Sequence, residues 1–232
     1  MRTISDTAIV LGATGAVGTQ LVTQLSQRED VANIILISRR AFDVLLNFPD
    51  AITSKITHQI IDFEQLEQQA KPLIPAGSVA FIALGTTQKQ AGSKANFRQI
   101  DHGLVIAFAR ACKAAEVSKL GVVTAFGANI SSVSFYNRVK GEVERDIQAL
   151  NLPSVFFARP SLLLGRPDDD RFAEKLADSL LTPISSFLPA SVRPISTKSV
   201  ASALIDVTYD AENTDSSLVL SNGTMHQRAV KD

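Results

Sequence analysis

Short apolar runs alternate along the chain with segments of helical periodicity. Six runs rich in β-branched and small apolar residues predict buried strands, and they lie at residues 8–11, 33–37, 57–61, 78–84, 120–123 and 217–220. Apolar positions three and four apart predict a long helix at 97–115, and shorter helices are expected at 64–70 and 199–209. Strands that alternate with helices in this way predict βαβ units and a parallel sheet.

A glycine-rich turn follows the first predicted strand. Its residues, 12–18, lead directly into a helix-compatible segment. In such a strand, turn and helix, the first glycine makes the turn, the second lets backbone N–H groups approach a diphosphate, and the third lets the helix pack closely. We predict dinucleotide contacts at Gly12, Thr14, Gly15, Ala16, Val17 and Gly18.

Ser38, Arg39 and Arg40 follow the second predicted strand. Dinucleotide sites that prefer NAD usually place Asp or Glu here, where it accepts hydrogen bonds from the ribose 2′-hydroxyl. This strand end has no carboxylate, and two guanidinium groups can instead bind the oxygens of a 2′-phosphate. The sequence therefore favours NADP(H) over NAD. The alternative is that both arginines are solvated residues without a ligand.

The ends of the third and fourth strands provide further candidate contacts. Asp62 could accept a hydrogen bond from the adenine amino group while Phe63 covers the ring, or Asp62 could cap the helix that follows; both roles can hold together. Residues 84–87, which are Leu84, Gly85, Thr86 and Thr87, are expected to face the ribose and phosphates on the nicotinamide side. The polar segment 88–94 is predicted to be a loop.

Tyr136 and Lys140 are four residues apart in a predicted helix, so their functional groups can converge on one side of it. An ammonium group in that position favours the phenolate and suits Tyr136 to proton transfer, and Lys140 could also bind the hydroxyls of the nicotinamide ribose. Thr124 ends the fifth strand and lies twelve residues before Tyr136. We predict that Tyr136, Lys140 and Thr124 form the catalytic group.

Composition limits the class of protein. Lys plus Arg and Asp plus Glu both total 23 in 232 residues, so no net charge would draw the protein to nucleic acid or to an anionic membrane. No apolar stretch is long enough to span a bilayer, and a cytoplasmic location is expected. The lone Cys112 is expected to be a buried apolar residue, and three histidines without metal-ligand spacing predict no metal site.

Further segments complete a resemblance to a known family. These are Phe97-Arg98 with Asp101, Gly127-Ala128 and the run 159–165. With the glycine turn, Ser38-Arg39-Arg40, 84–87 and 136–144, they resemble an atypical short-chain dehydrogenase/reductase over nearly the whole chain. The chain is similar to the Tat-interacting oxidoreductase family and to NAD(P)-binding epimerase-like proteins.

The resemblance implies a role for each part of the site. Tyr136 would be the general acid/base, Lys140 its electrostatic partner and ribose ligand, and a hydroxyl after the fifth strand would polarise the substrate oxygen. Pro160, Ser161 and Leu162 would line the nicotinamide pocket. A monomer or a homodimer is implied.

Two departures from the family pattern bear on the chemistry. Relatives carry a serine pair where this chain has Thr124-Ala125, so the polarising hydroxyl is Thr124 or comes from Ser131 or Ser132. Many members also have an Asn in the long helix that holds a water for proton relay, and this chain has Asp101 there.

These observations predict an α/β fold, with one Rossmann-type doubly wound parallel sheet and a small C-terminal extension on the substrate side. The chain is expected to be a single NAD(P)-binding domain, 1–232, with a lid within about 160–198 and a helix at 172–181. The expected activity is an NADP(H)-dependent hydride transfer to or from a small carbonyl or alcohol. The alternatives are an NADP(H)-binding redox-sensing protein with little turnover and, second, a nucleotide-sugar epimerase.

Overall fold

One sheet of parallel strands organises the computed structural model, which describes residues 6–164, 189–210 and 216–229. Its strands are β1 (Thr7–Leu11), β2 (Asn33–Ser38), β3 (Ile56–Ile60), β4 (Val79–Ile82), β5 (Lys119–Val123), β6 (Val155–Ala158) and β9 (Ser217–Leu220). A separate parallel pair consists of β7 (Leu163–Leu164) and β8 (Ile195–Ser196). The order in the large sheet is β3-β2-β1-β4-β5-β6-β9. This seven-stranded parallel sheet confirms the predicted α/β fold of Rossmann type.

Helices connect the strands and cover both faces of the sheet. They are α1 (Ala16–Gln27), α2 (Val44–Asn47), α3 (Leu66–Ala70), α4 (Gln88–Ala91), α5 (Lys94–Arg98), α6 (Val105–Ala114), α7 (Phe135–Gln148), α8 (Thr197–Tyr209) and α9 (Asn222–Ala229). A π-helical segment, Gln99–Leu104, joins α5 to α6. Short 3₁₀ turns lie at Thr53–Lys55, Phe63–Gln65 and Lys71–Leu73.

Alternate residues of each central strand face different cores. In β1, Ala8 and Val10 pack with residues of α1 and α8, whereas Ile9 and Leu11 pack with residues of α3, α6 and α7. Because both faces are covered, the central strands β1, β4 and β6 are buried at every position. The edge strand β3 is only partly buried and carries Thr57, His58 and Gln59.

Several elements differ from the sequence predictions. The segment 88–94 was predicted to be a loop, which is wrong for residues 88–91, since they form α4, and for Lys94, which begins α5. Thr87 caps α4 in a capping box with Gln90. The strand β6 was not among the predicted strands.

Residues 165–188, which include most of the predicted lid and the helix expected at 172–181, lie outside the described residues. Within the described ranges, no helix has both the length and the apolar character needed to cross a bilayer.

Candidate active site

A cleft of about 840 Å³ opens at the carboxyl ends of β1, β4, β5 and β6. The sheet order reverses between β1 and β4, and in doubly wound sheets ligands bind at this reversal because the loops after the two strands diverge. Residues predicted from sequence that line the cleft are Thr14, Gly15, Ala16, Val17, Leu84, Gly85, Thr86, Thr87, Thr124, Tyr136, Lys140, Pro160, Ser161 and Leu162.

The glycine turn leaves room for a diphosphate at the start of α1. Gly12 has φ +85°, and a Cβ there would lie 2.5 Å from the backbone nitrogen of Leu84. A Cβ on Gly18 would overlap the carbonyl of Gly12, so α1 can approach the turn only because that position is glycine. Gly12 and Gly18 thus allow close backbone packing on the protein side of the turn, while Thr14 and Gly15 are exposed toward the cleft. The positive end of α1 faces the same space, which fits an anionic dinucleotide.

Ser38, Arg39 and Arg40 lie at the carboxyl end of β2, outside the lining of the cleft. Both arginines are exposed. The hydroxyl of Ser38 donates to the carbonyl of Arg40 at 2.7 Å, and its Oγ lies 2.7 Å from Nε2 of His58. The strand end therefore presents two solvated guanidinium groups beside a turn that is fixed by hydrogen bonds.

Asp62 and Phe63 also lie outside the lining of the cleft. The carboxylate of Asp62 accepts a hydrogen bond from the backbone N–H of Glu64 at 2.9 Å, so the structure shows the capping role. A contact of Asp62 or Phe63 with adenine stays a prediction.

Tyr136 and Lys140 lie on the same side of α7, as their spacing predicts. The ring of Tyr136 packs on Phe97, with 5.7 Å between the ring centroids, and is half-buried at the wall of the cleft. The Nζ atom of Lys140 lies 5.9 Å from the centroid of the Tyr136 ring. The two side chains therefore share one region of the cleft.

The carboxylate of Asp101 lies next to Lys140, a pairing that was not predicted from the sequence. Oδ1 of Asp101, in the π-helical segment, lies 2.7 Å from Nζ of Lys140. Oδ2 of Asp101 accepts a hydrogen bond from the backbone N–H of Thr86 at 2.8 Å. Asp101 is 0% and Lys140 5% exposed, so this ion pair is buried within the wall of the cleft. The sequence contained no signal for the pairing, because the two residues are 39 positions apart on different helices.

The hydroxyl of Thr124 is bonded to a second buried carboxylate. Its Oγ1 donates to Oε1 of Glu144 at 2.6 Å and lies 3.3 Å from the carbonyl of Ala158. The guanidinium of Arg159 binds both oxygens of Glu144. The proton of Thr124 is thus directed to Glu144 rather than into the cleft. The lining of the cleft contains neither Ser131 nor Ser132.

Asn222 supports the cleft wall that contains Ser161 and was not singled out in the sequence. It is buried, and its Oδ1 accepts from the backbone N–H of Ser161 at 2.9 Å. Its Nδ2 donates to the carbonyls of Ala190 at 2.7 Å and Arg193 at 2.8 Å. Asn222 therefore ties the loop after β6 to the loop before β8. The side chains of the described residues include no cluster of His, Cys, Asp and Glu that could hold a metal ion.

Comparisons with known proteins identify the family. A family model described as NAD(P)H-binding matches residues 12–210. The chain is 36% identical over 164 residues to "Protein FMP52-1, mitochondrial" of Scheffersomyces stipitis, which covers 71% of this chain and 70% of the relative. It is 30% identical over 231 residues to "Protein FMP52, mitochondrial" of Meyerozyma guilliermondii, covering 97% and 95%.

A solved structure shows the same fold. The UDP-N-acetylglucosamine 4-epimerase from Methanobrevibacter ruminantium M1, in complex with UDP-N-acetylmuramic acid, matches with a TM-score of 0.68 at 13% identity. The match covers 93% of this chain and 76% of that chain. At this identity the likeness concerns the fold alone.

These comparisons correct one prediction and broaden another. The predicted cytoplasmic location is wrong, because the relatives are named as mitochondrial proteins and point to mitochondria. That prediction depended on the lack of a membrane-spanning run, a property that does not distinguish the two compartments. The relatives are named FMP52 rather than Tat-interacting oxidoreductase, so what is shown is the broader family. By the match over residues 12–210 and the identity to both FMP52 proteins, the chain belongs to the NAD(P)H-binding family.

Proposed function

We propose that the protein is an NADP(H)-dependent oxidoreductase that transfers a hydride to or from a small carbonyl or alcohol. The observation that carries the proposal is that the glycine turn and the pair Tyr136 and Lys140 line one cleft. A turn open to a diphosphate and a half-buried phenol in the same cleft are the two parts that such a reaction requires.

Tyr136 holds the proton in this proposal. Its ring is fixed against Phe97, which leaves few positions for the hydroxyl and orients it toward a bound substrate. Residues 160–162 lie across the same cleft and would hold the nicotinamide end of the dinucleotide in place. The bound dinucleotide would supply or accept the hydride.

The preference for NADP(H) is supported by Arg39 and Arg40, two exposed guanidinium groups at the end of β2. We expect Arg39→Ala and Arg40→Ala each to weaken NADPH binding by about tenfold, the value of one charge-assisted contact to phosphate, and to leave NADH binding unchanged. Arg110→Ala is the matched control, because Arg110 is exposed on α6 and outside the lining of the cleft. Equal loss for both dinucleotides would contradict the assignment of the 2′-phosphate to this site.

The substrate side of the cleft favours an uncharged molecule with an apolar body. Phe126, Leu162 and Val192 line the cleft and are 46%, 49% and 41% exposed, which is high for large apolar side chains. An apolar substrate that covers them would gain roughly 25 cal/mol for each Å² removed from water. We therefore expect the KM for aldehydes and ketones to fall as their alkyl chain lengthens, and to rise again in Leu162→Asn.

The decisive experiment measures NADPH oxidation with a panel of carbonyl compounds. Tyr136→Phe should lower kcat by at least about a hundredfold, the contribution of a positioned general acid, with NADPH affinity unchanged. Tyr209→Phe is the matched control, since the other tyrosine of the chain is buried on α8 in a core away from the cleft. Turnover at the wild-type rate in Tyr136→Phe would refute the proposal.

A second candidate function is NADP(H) binding with little turnover, as in a redox-sensing protein. The hydrogen bond from Thr124 to Glu144 supports it, because the predicted polarising hydroxyl donates its proton away from the cleft. Tight NADPH binding without turnover across the panel would favour this candidate over the enzyme.

A further inference from the structure

The buried ion pair between Asp101 and Lys140 lies close to Tyr136 and can influence its chemistry as well as the stability of the fold. Both charges lie in the wall of the cleft, 2.7 Å apart, and the ammonium is 5.9 Å from the ring of Tyr136. A buried charge without a partner is costly, so the two opposite charges stabilise each other in the wall of the cleft. The charge that Tyr136 experiences therefore depends on Asp101 as well as on Lys140.

The surroundings hold Asp101 in this position. The N–H of Thr86 donates to its Oδ2, which orients the carboxylate with Oδ1 toward Lys140. Gly85 leaves the space that the pair needs, because a Cβ there would lie 3.3 Å from Oδ1 of Asp101 and 3.6 Å from Nζ of Lys140. Asp101 also belongs to the π-helical segment, a helix variant that is frequent at functional sites.

Other charged groups around α7 are already paired or lie toward solvent. Arg98 of α5 pairs with Glu142 of α7, and His102 of the π-helical segment pairs with Asp146 of α7. Arg159 pairs with Glu144. Lys94 and Arg138 lie over the ring of Phe135 rather than that of Tyr136. Of the cation–ring contacts in the described residues, the one at the Tyr136 ring is that of Lys140, whose partner is Asp101.

We propose that Asp101 is a positioning residue that compensates the charge of Lys140 and thereby weakens the electrostatic effect of that ammonium group on Tyr136. The proposal rests on the proposed function in one respect, that Tyr136 moves the proton. Lys140 alone would favour the phenolate, which accepts protons and serves alcohol oxidation. With the carboxylate beside it, the ammonium can still orient hydrogen-bonding partners while the net charge of the pair is close to zero.

A protonated Tyr136 makes the protein suited to carbonyl reduction. In that direction the bound dinucleotide would supply the hydride to the carbonyl carbon, and Tyr136 would give its proton to the carbonyl oxygen. The phenolate would then take up one proton from solvent, so the net reaction would consume the carbonyl, NADPH and one proton and yield the alcohol and NADP⁺.

The composition of the chain allows the ionisation of Tyr136 to be measured without turnover. The chain has two tyrosines and no tryptophan, so near-ultraviolet absorbance of phenolate has only two sources. Burial raises the pKa of Tyr209 far above its ordinary value, and the native protein will not ionise that residue at moderately alkaline pH. The phenolate absorbance of the folded protein therefore reports Tyr136, and Tyr136→Phe should abolish it.

The experiment compares four proteins in which the charge beside Tyr136 differs. Relative to wild type, Asp101→Asn should shift the appearance of phenolate to lower pH by roughly one unit, because it leaves the ammonium uncompensated. Lys140→Met should shift it to higher pH, and the double variant should return close to wild type. Asp146→Asn, which removes an aspartate from a pair on the same helix but outside the cleft lining, should produce no shift.

Each outcome decides the proposal. If Asp101→Asn is destabilised but its phenolate appears at the wild-type pH, Asp101 has a structural role only and the proposal is overturned. Should Asp101→Asn fail to fold, the comparison of Lys140→Met with the double variant isolates the same carboxylate, and equal titrations there would also overturn it. Because the readout is absorbance, an absence of NADPH turnover would refute the proposed function while the charge compensation is still measured.

Discussion

The Thr124 hydroxyl was expected to polarise a substrate oxygen, but it donates a hydrogen bond to Glu144. Thr124→Val tests the contribution of this hydrogen bond. Valine has nearly the shape of threonine but cannot donate a hydrogen bond. Thr124 is 4% and Glu144 5% exposed, and the Oγ1 to Oε1 distance is 2.6 Å. The substitution thus leaves a buried carboxylate without one of its donors, while Arg159 still binds both of its oxygens.

The expected cost follows from that geometry. Loss of one partner of a buried charged group costs about 1–3 kcal/mol, and we expect about 2 kcal/mol of unfolding free energy for Thr124→Val. For a chain of this size that corresponds to a Tm lower by about 4–8 °C. Thr124→Ser keeps the donor and loses only a methyl group, so it should lose about half as much or less.

Thermal and urea unfolding followed by circular dichroism measure the effect. NADPH affinity should change by less than about twofold, because the hydroxyl is directed to Glu144 rather than into the cleft. The reasoning is refuted if Thr124→Val unfolds within about 0.5 kcal/mol of wild type, the range of a surface substitution. Unchanged stability combined with lost turnover would show that the hydroxyl serves the substrate.

Three further predictions use groups away from that bond. Cys112 is fully buried and burial raises the pKa of its thiol, so a thiol reagent should modify one equivalent only after unfolding, and rapid modification of native protein would contradict the structure. Burial lowers the pKa of His58 below 6.5, so the folded state binds a proton there less readily than the unfolded chain. The stability that this residue contributes is therefore present above about pH 6.5 and lost as the pH falls; unfolding free energies of wild type and His58→Asn should converge or cross toward about pH 5, and a constant difference would disprove the linkage. Gly12→Ala should lower the free energy of unfolding by at least about 1 kcal/mol and weaken NADPH binding, since the new Cβ would meet the backbone of Leu84, and wild-type values in calorimetry would exclude such crowding.

The sheet and the glycine turn could be predicted because their signals are local. Runs such as residues 8–11 and 34–37 are apolar at every position, and a strand covered on both faces needs no other pattern. The capping box of α4, formed by Thr87 and Gln90, is an equally local pattern, but the polar residues of 88–94 are also typical of a loop.

The partners of the candidate site could not be predicted, since each contact joins distant parts of the chain. Asp101 reaches Lys140 from another helix, and the π-helical segment departs from the 3.6-residue period by which positions on a helix face are predicted. The proton of Thr124 goes to Glu144, twenty residues further along the chain. Residue types indicated which groups were present, but the direction of each hydrogen bond is set by tertiary packing.

Asn222 gives the last part of the chain a role in the cleft. It follows β9, which pairs with β6 immediately before the loop that contains Ser161. A truncation that removes β9 and Asn222 would leave six adjacent strands and the glycine turn, but it would release the loop of Ser161 from the loop before β8. Under the proposed function, shortened forms of this protein are expected to lose discrimination between substrates before they lose nucleotide binding, so a C-terminal fusion or cleavage is a poor choice where selectivity is to be measured.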